Sequence, residues 1–204
     1  MPRKPNTDQR RAEIVAAMLS VIASSGYDKA TIQAVARQAG LAPGLIHYHF
    51  ASKREILLAL VDTLAGYIQA RYSQAAGSAA TPADKLRAYL NARLAHGKGA
   101  NPQAVAAWVV IGAEAIRDAK VREAYQAAIA AEMTLLRSLL AAYMAEEGKS
   151  GSGAPRLAAV LMAFIEGAFQ LSSAAREAMP KGYAADSAMQ LVERVVSGEP
   201  RAKG

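Results

Sequence analysis

Between Thr31 and Pro43 the chain carries a helix cap, a glycine stop and a proline suited to a first helical turn, a spacing that admits two short helices joined by a tight turn and little else. Thr31 caps the segment TIQAVARQ, whose Val35, Ala36 and Ala39 are spaced to face inward, and Gly40 ends it. Leu41-Ala42-Pro43 then opens a second segment, so helices are predicted over 31–38 and 42–49 as a helix-turn-helix. Ahead of this pair, Ile14, Met18, Val21 and Ile22 form the apolar face of a first helix that Gly26 terminates. Behind it, Ser52-Lys53-Arg54-Glu55 reads as a capping box, with Ser52 accepting from the Glu55 N–H and Glu55 reaching back to the Ser52 N–H. The amphipathic run Ile56, Leu57, Leu60, Val61, Leu64, Ile68 should extend that helix to about Ala76.

Helical periodicity continues beyond, and strand-like alternation is missing. Thr81-Pro82-Ala83-Asp84, Asn101-Pro102 and Pro155 mark further helix starts, GKSGSGAP (148–155) is a link, and MPKG (179–182) separates the last two helices. The expected fold is all-α with about nine helices: an N-terminal three-helix helix-turn-helix domain over 1–52 and a larger helical domain over 53–204.

Composition removes several function classes. There is no cysteine, which excludes disulfide scaffolds, thiolate metal sites and cysteine nucleophiles. The first residues, MPRKPNTDQRRAEI, lack an apolar signal core, and the stretches 104–113 and 158–165 fall short of the ~18 apolar residues of a membrane span. A cytoplasmic protein is expected. Residues 1–54 hold eight basic side chains (Arg3, Lys4, Arg10, Arg11, Lys29, Arg37, Lys53, Arg54) against three acids, whereas the remaining chain is close to neutral. A basic head on a near-neutral body fits a polyanionic partner, nucleic acid or an anionic membrane surface; a merely solvated terminus is the alternative.

The stretch GLIHYHF (44–50) concentrates the chemistry. His47 and His49 are two apart, so on a helix they diverge and cannot share a metal ion, and the third histidine, His96, is remote. No serine, cysteine or acid completes a catalytic pair; no catalytic residue, metal or cofactor is assigned. If Ile46 and Phe50, four apart, anchor the short helix, then Gly44, Leu45, His47, Tyr48 and His49 face outward or sideways, a set able to enter a DNA major groove. Lys53 and the backbone N–H groups of the next helix start could hold a phosphate. A simple helix–helix contact made by these aromatics is the alternative.

The spaced pattern T31-I-x-x-V-A-x-x-A-G-L-A-P-G-L-I-H-Y-H-F50, followed by S52-K-x-x-I-L57, resembles the DNA-binding domain of the TetR-type bacterial transcriptional regulators. The resemblance covers about residues 8–57. It implies DNA contacts from Thr31, Gln33, Arg37, Ala42, Gly44, Leu45, His47, Tyr48, His49 and Lys53, with Gly44, Leu45 and His47 near base edges and Tyr48, His49 and Lys53 on the backbone. Ala42 stands where the family commonly has serine, and His47 where it commonly has tyrosine.

The same resemblance implies a C-terminal domain that dimerises and receives a small molecule. Segment 156–176 is apolar nearly all round, and the last helix adds a stripe at Met189, Val192 and Val196. A four-helix bundle with a second copy would bury both, through Met162, Ile165, Phe169, Ser172, Ser173, Met189, Val192 and Val196; an intramolecular core is the alternative. Trp108 and the run F164-I-E-G-A-F169 resemble the C-terminal domain of the choline-responsive betaine-pathway repressors. Candidate walls of an effector pocket are Leu64, Ile68, Trp108, Ile111, Glu114, Tyr125, Met133 and Phe164. The expected function is a homodimeric repressor that binds a palindromic double-stranded operator and is released from it by a small molecule, with no membrane partner. A basic membrane-surface or partner-binding module is the competing reading, and an enzyme is not expected.

Overall fold

The computed structural model describes residues 7–94 and 100–201. His96, Arg3 and Lys4 lie outside them. Among the described residues the chain forms nine α-helices: α1 (Thr7–Ser25), α2 (Ile32–Ala39), α3 (Pro43–His49), α4 (Lys53–Ala76), α5 (Pro82–Leu94), α6 (Pro102–Arg117), α7 (Ala119–Glu146), α8 (Ala154–Ala174) and α9 (Tyr183–Gly198). Short 3₁₀ turns at Gly151–Gly153 and Arg176–Ala178 flank α8. The chain divides into two compact units, one of residues 1–65 with 101–128 and the other of 66–100 with 129–204.

The first unit is built by the signals legible in the sequence. Gly26 and Gly40 end α1 and α2 at φ of 79° and 66°, a left-handed conformation that a side chain would strain. Thr31 caps α2 by accepting the Ala34 N–H at 3.1 Å. Ile14, Met18 and Ile22 of α1, Val35 and Ala36 of α2, Ile46 of α3, Phe50, and Ile56, Leu57 and Leu60 of α4 are all buried. Each large side chain among them contributes roughly 1.5–3 kcal/mol by leaving water. The Ser52 cap forms as expected, with the Glu55 N–H donating to Oγ at 3.2 Å. Glu55 itself reaches one residue further than expected, accepting from the Ala51 N–H at 2.7 Å.

In the second unit α5, α8 and α9 pack together around Leu86, Leu90, Leu157, Leu161, Ile165, Met189, Val192 and Val196, all buried. Two helical stretches, Ala119–Glu146 and Gly151–Ala174, are long and apolar enough to cross a bilayer by length and composition, contrary to the shorter runs counted in the sequence. Alanine accounts for much of that length, and a core helix passes the same test. In α8 Leu157, Leu161 and Ile165 are buried inside the chain, whereas Val160 and Leu171 are exposed.

Candidate nucleic-acid interface

α3 is seven residues long and too short to hold itself, so its position is set from outside. Ile46 and Phe50 bury completely and act as its two anchors. A third constraint comes from Arg11 of α1, which the sequence reading counted only as charge. Its Nη1 donates to the His49 carbonyl, its guanidinium lies 3.9 Å from the centre of the Phe50 ring, and Nη2 is 3.6 Å from Glu55 Oε1. One cation thereby ties α1 to the end of α3 and the start of α4. Only a basic residue one turn from the helix start hinted at this role; its partners lie some forty positions on.

With that helix fixed, Gly44, Leu45, His47 and Tyr48 are exposed together, Leu45 at 37% and Tyr48 at 79%. An uncovered tyrosine and leucine beside an imidazole form a surface rich in donors and apolar edges. Thr31, Gln33, Arg37 and Ala42 are exposed on and beside α2. Ala42 occupies the N-cap of α3 without a side-chain hydrogen bond; Pro43 after it has no N–H, and the Leu45 N–H donates to the Ala42 carbonyl at 2.9 Å.

Two residues of the expected set are placed differently. His49 is half-buried, edge-on to Tyr48 at 5.0 Å between ring centres, and its Nδ1 is buried without a hydrogen-bond partner. Lys53 turns inward: Nζ donates to the Tyr27 carbonyl and sits 3.7 Å from the centre of the Tyr27 ring. Burial lowers the Lys53 pKa below its usual value, against the opposing pull of Asp28 and Glu114. Lys53 is therefore a clamp on the loop before α2 as placed here, and not an outstretched phosphate ligand. Burial also raises the Tyr27 pKa, reinforced by Glu114 and Asp118. Nearby, Arg54 Nη1 pairs with Asp118 Oδ2 at 3.3 Å.

The candidate effector residues are divided between the two units. In the first unit the rings of Trp108 and Tyr125 stack at 4.8 Å, and a Cβ on Gly112 would stand 3.4 Å from the Tyr125 hydroxyl, so α6 and α7 approach closely there. Leu64 and Ile111 are buried, and Glu114 is half-exposed. Ile68, Met133 and Phe164 belong to the second unit and are half-buried.

The expected dimer residues divide sharply. Met162, Ile165, Phe169, Met189, Val192 and Val196 are buried within the chain itself, where α5, α8 and α9 pack together. Ser172 is half-buried and Ser173 exposed. The open side of α8 is a different one: Ala159, Val160, Ala163, Gly167 and Leu171, with Val160 at 46% exposure. Val195 is the exposed apolar residue of α9.

A short helix held by two anchors and a guanidinium clamp, turned outward behind a glycine turn, defines a helix-turn-helix protein. Residues 14–60 match the bacterial regulatory proteins of the tetR family, and residues 82–198 match the C-terminal region of BetI-type transcriptional repressors. The chain belongs to this family. Among curated proteins it is 34% identical to the HTH-type transcriptional regulator BetI of Rhizobium meliloti (strain 1021), over 60% of each chain. It is also 34% identical to the fatty acid metabolism regulator protein of Bacillus subtilis (strain 168), over 36% of this chain and 38% of that one. The match thus spans about three fifths of the BetI relative's length or less. A transcriptional regulator from Rhodococcus sp. Rha1 superposes with a TM-score of 0.80 at 21% identity, covering 95% of this chain and 99% of that one. A regulator from Saccharomonospora viridis, solved in complex with choline, superposes with a TM-score of 0.77 at 21% identity, covering 96% and 100%. At these identities the likeness is one of fold.

Proposed function

We propose that the protein is a transcriptional repressor that reads DNA with α3, works as a homodimer and is released by a small molecule. The observation that carries this is the exposed set Gly44, Leu45, His47 and Tyr48 on a helix whose other face is pinned. In a major groove Gly44 permits close backbone approach, while His47 and Tyr48 offer donors to base edges and phosphates. Thr31, Gln33 and Arg37 would meet the sugar–phosphate backbone. The head then corresponds to residues 1–52 and the effector and dimerisation region to 53–204.

Homodimerisation is supported by the open face of α8, whose small residues recur at helical spacing and allow two helices to approach closely. A two-fold pair would set its reading helices ~34–36 Å apart, on successive major grooves of a palindromic site. Release requires the effector to bind the DNA-incompetent spacing more tightly than the competent one. Trp108 and Tyr125 are the favoured wall residues, and choline, carried by the Saccharomonospora viridis structure, is one candidate effector. Such a protein acts in the cytoplasm, without a membrane partner and without catalysis.

Selection of bound duplexes from random DNA tests this. The expected product is an inverted repeat whose halves are one helical turn apart. Recovery of unrelated sequences, together with equal binding to anionic vesicles, would favour the competing membrane-surface reading.

A further inference from the structure

The two ends of α3 are held differently. Its start is tethered through the chain, where the tight turn after α2 is closed by the Leu41 N–H donating to the Ala36 carbonyl at 2.9 Å. Its far end passes straight into extended backbone at Phe50, with φ −140° and ψ 127°, so the placement of that end rests on side chains. Ile46 and Phe50, four apart, lie on one side of the helix. They hold it along a line and leave it free to rock about that line.

Arg11 of α1 supplies a point off the line. The last carbonyls of a helix have no partner within it, and Arg11 Nη1 donates to that of His49, placing a positive charge at the negative end of the helix dipole. Nη2 of the same guanidinium is 3.6 Å from Glu55 Oε1, while Glu55 Oε2 accepts the Ala51 N–H at 2.7 Å. Glu55 therefore grips both the residue after Phe50 and the cation that holds the residue before it. The neighbouring Arg10 is turned to its own helix, where it pairs with Glu13 at 2.7 Å.

Reading a base edge tolerates little error. Donor and acceptor must come within about 2.7–3.2 Å, and a recognition side chain must be held to about 0.5 Å. An α3 that rocks would keep His47 and Tyr48 exposed and still miss the edges.

We propose that Arg11, held by Glu55, is a positioning residue for DNA reading, fixing the angle at which His47 and Tyr48 enter the groove without itself touching DNA. This rests on the DNA-reading function proposed above and adds to it a residue outside the helix-turn-helix pair.

The test titrates the intact protein by fluorescence anisotropy, over a salt series, with the duplex recovered by selection and with a scrambled duplex. Circular dichroism establishes that each variant is folded at the assay temperature. Arg11→Met keeps an unbranched stem over the Phe50 ring and removes the donors and the charge. It should lower the preference for the selected duplex by about tenfold or more. The slope of log affinity against log salt should stay within about half a unit of wild type. Arg10→Met removes the same charge one residue away and should keep the preference. Arg11→Lys should recover part of what Arg11→Met loses, because an ammonium can hold the carbonyl but cannot span carbonyl and Glu55 with one planar fork. Glu55→Gln leaves an acceptor for the Ala51 N–H, should lower the preference by a smaller factor, and keeps the test alive should Arg11→Met melt early. Combined with Arg11→Met it should add little, since both belong to one clamp.

The proposal is overturned if neither Arg11→Met nor Glu55→Gln lowers the preference, or if Arg10→Met lowers it as much as Arg11→Met. It is also overturned if affinity for both duplexes falls by one common factor, which would make the role of Arg11 structural only. A salt slope reduced by about one per protomer with the preference kept would make Arg11 a phosphate ligand and contradict it equally. A wild type with no preferred duplex removes the DNA-reading function and this inference with it. A preference that survives both Arg11→Met and Glu55→Gln sinks this inference alone.

Discussion

α3 and α8 each bury one side and expose the other, yet their exposed sides differ in kind. α3 turns His47, Tyr48 and Leu45 outward, large groups with donors and apolar edges. α8 turns out Ala159, Ala163 and Gly167, small groups that cannot reach far and permit close approach. A surface of the first kind suits a deep polar groove, and one of the second suits another helix. The burial that pins a helix and the surface it then presents are separate properties, and substitutions should separate them.

The inner faces should yield the largest effects. Phe50→Ala removes the ring beneath Arg11 and is expected to cost about 3–5 kcal/mol of stability, and Ile165→Ala on α8 about 2–5 kcal/mol. Denaturant unfolding checks both, and a loss below about 1 kcal/mol at either site would mean that helix is not pinned as described.

Next come the outer residues of α3. His47→Ala or Tyr48→Ala should cost about 1–3 kcal/mol in preference for the selected duplex. Folding stability should stay within about 0.5 kcal/mol. If stability falls with DNA preference, the two faces of α3 are not independent.

Thr31→Ala removes the hydrogen bond to the Ala34 N–H and should cost about 1 kcal/mol, detectable as an earlier melt. The smallest effect on folding belongs to Val160→Asp on the open face of α8, within about 0.5 kcal/mol. Its consequence should appear instead in light scattering, as a shift from dimer to monomer. An unchanged dimer would move the interface elsewhere.

The same comparison explains what the sequence could reveal. Local signals are strong around α2 and α3: Thr31, Gly40, Pro43 and Ser52 each act on neighbours within a few residues, and both short helices occur within one residue of expectation. The outward set on α3 followed from two anchors four apart. On α8 the sequence pattern does not separate the two sides, because its alanines and glycine count as apolar wherever they point. In a helix apolar all round the buried side is not marked, and only the folded chain shows Met162, Ile165 and Phe169 inside its own core. Lys53 is ambiguous in sequence for another reason. A lysine at a helix start has the same local sequence whether it reaches for a phosphate or folds back over Tyr27, which lies well upstream in the chain. Arg93, buried on α5, left a readable trace, a charge on an apolar register, but Glu132 and Glu166 beside it are on two other helices and only folding brings them together.

The most direct test of the central claim is fluorescence anisotropy of the intact protein on duplex DNA from immediately upstream of its own coding region. Scrambled duplex is the control, over a salt series, for wild type and His47→Ala. Wild type is predicted to prefer the upstream duplex by orders of magnitude, with affinity falling log-linearly with salt, and His47→Ala to lose about 1–3 kcal/mol of that preference while keeping most of the salt slope. Equal, weak binding to both duplexes, unchanged by His47→Ala, would contradict a reading surface on α3.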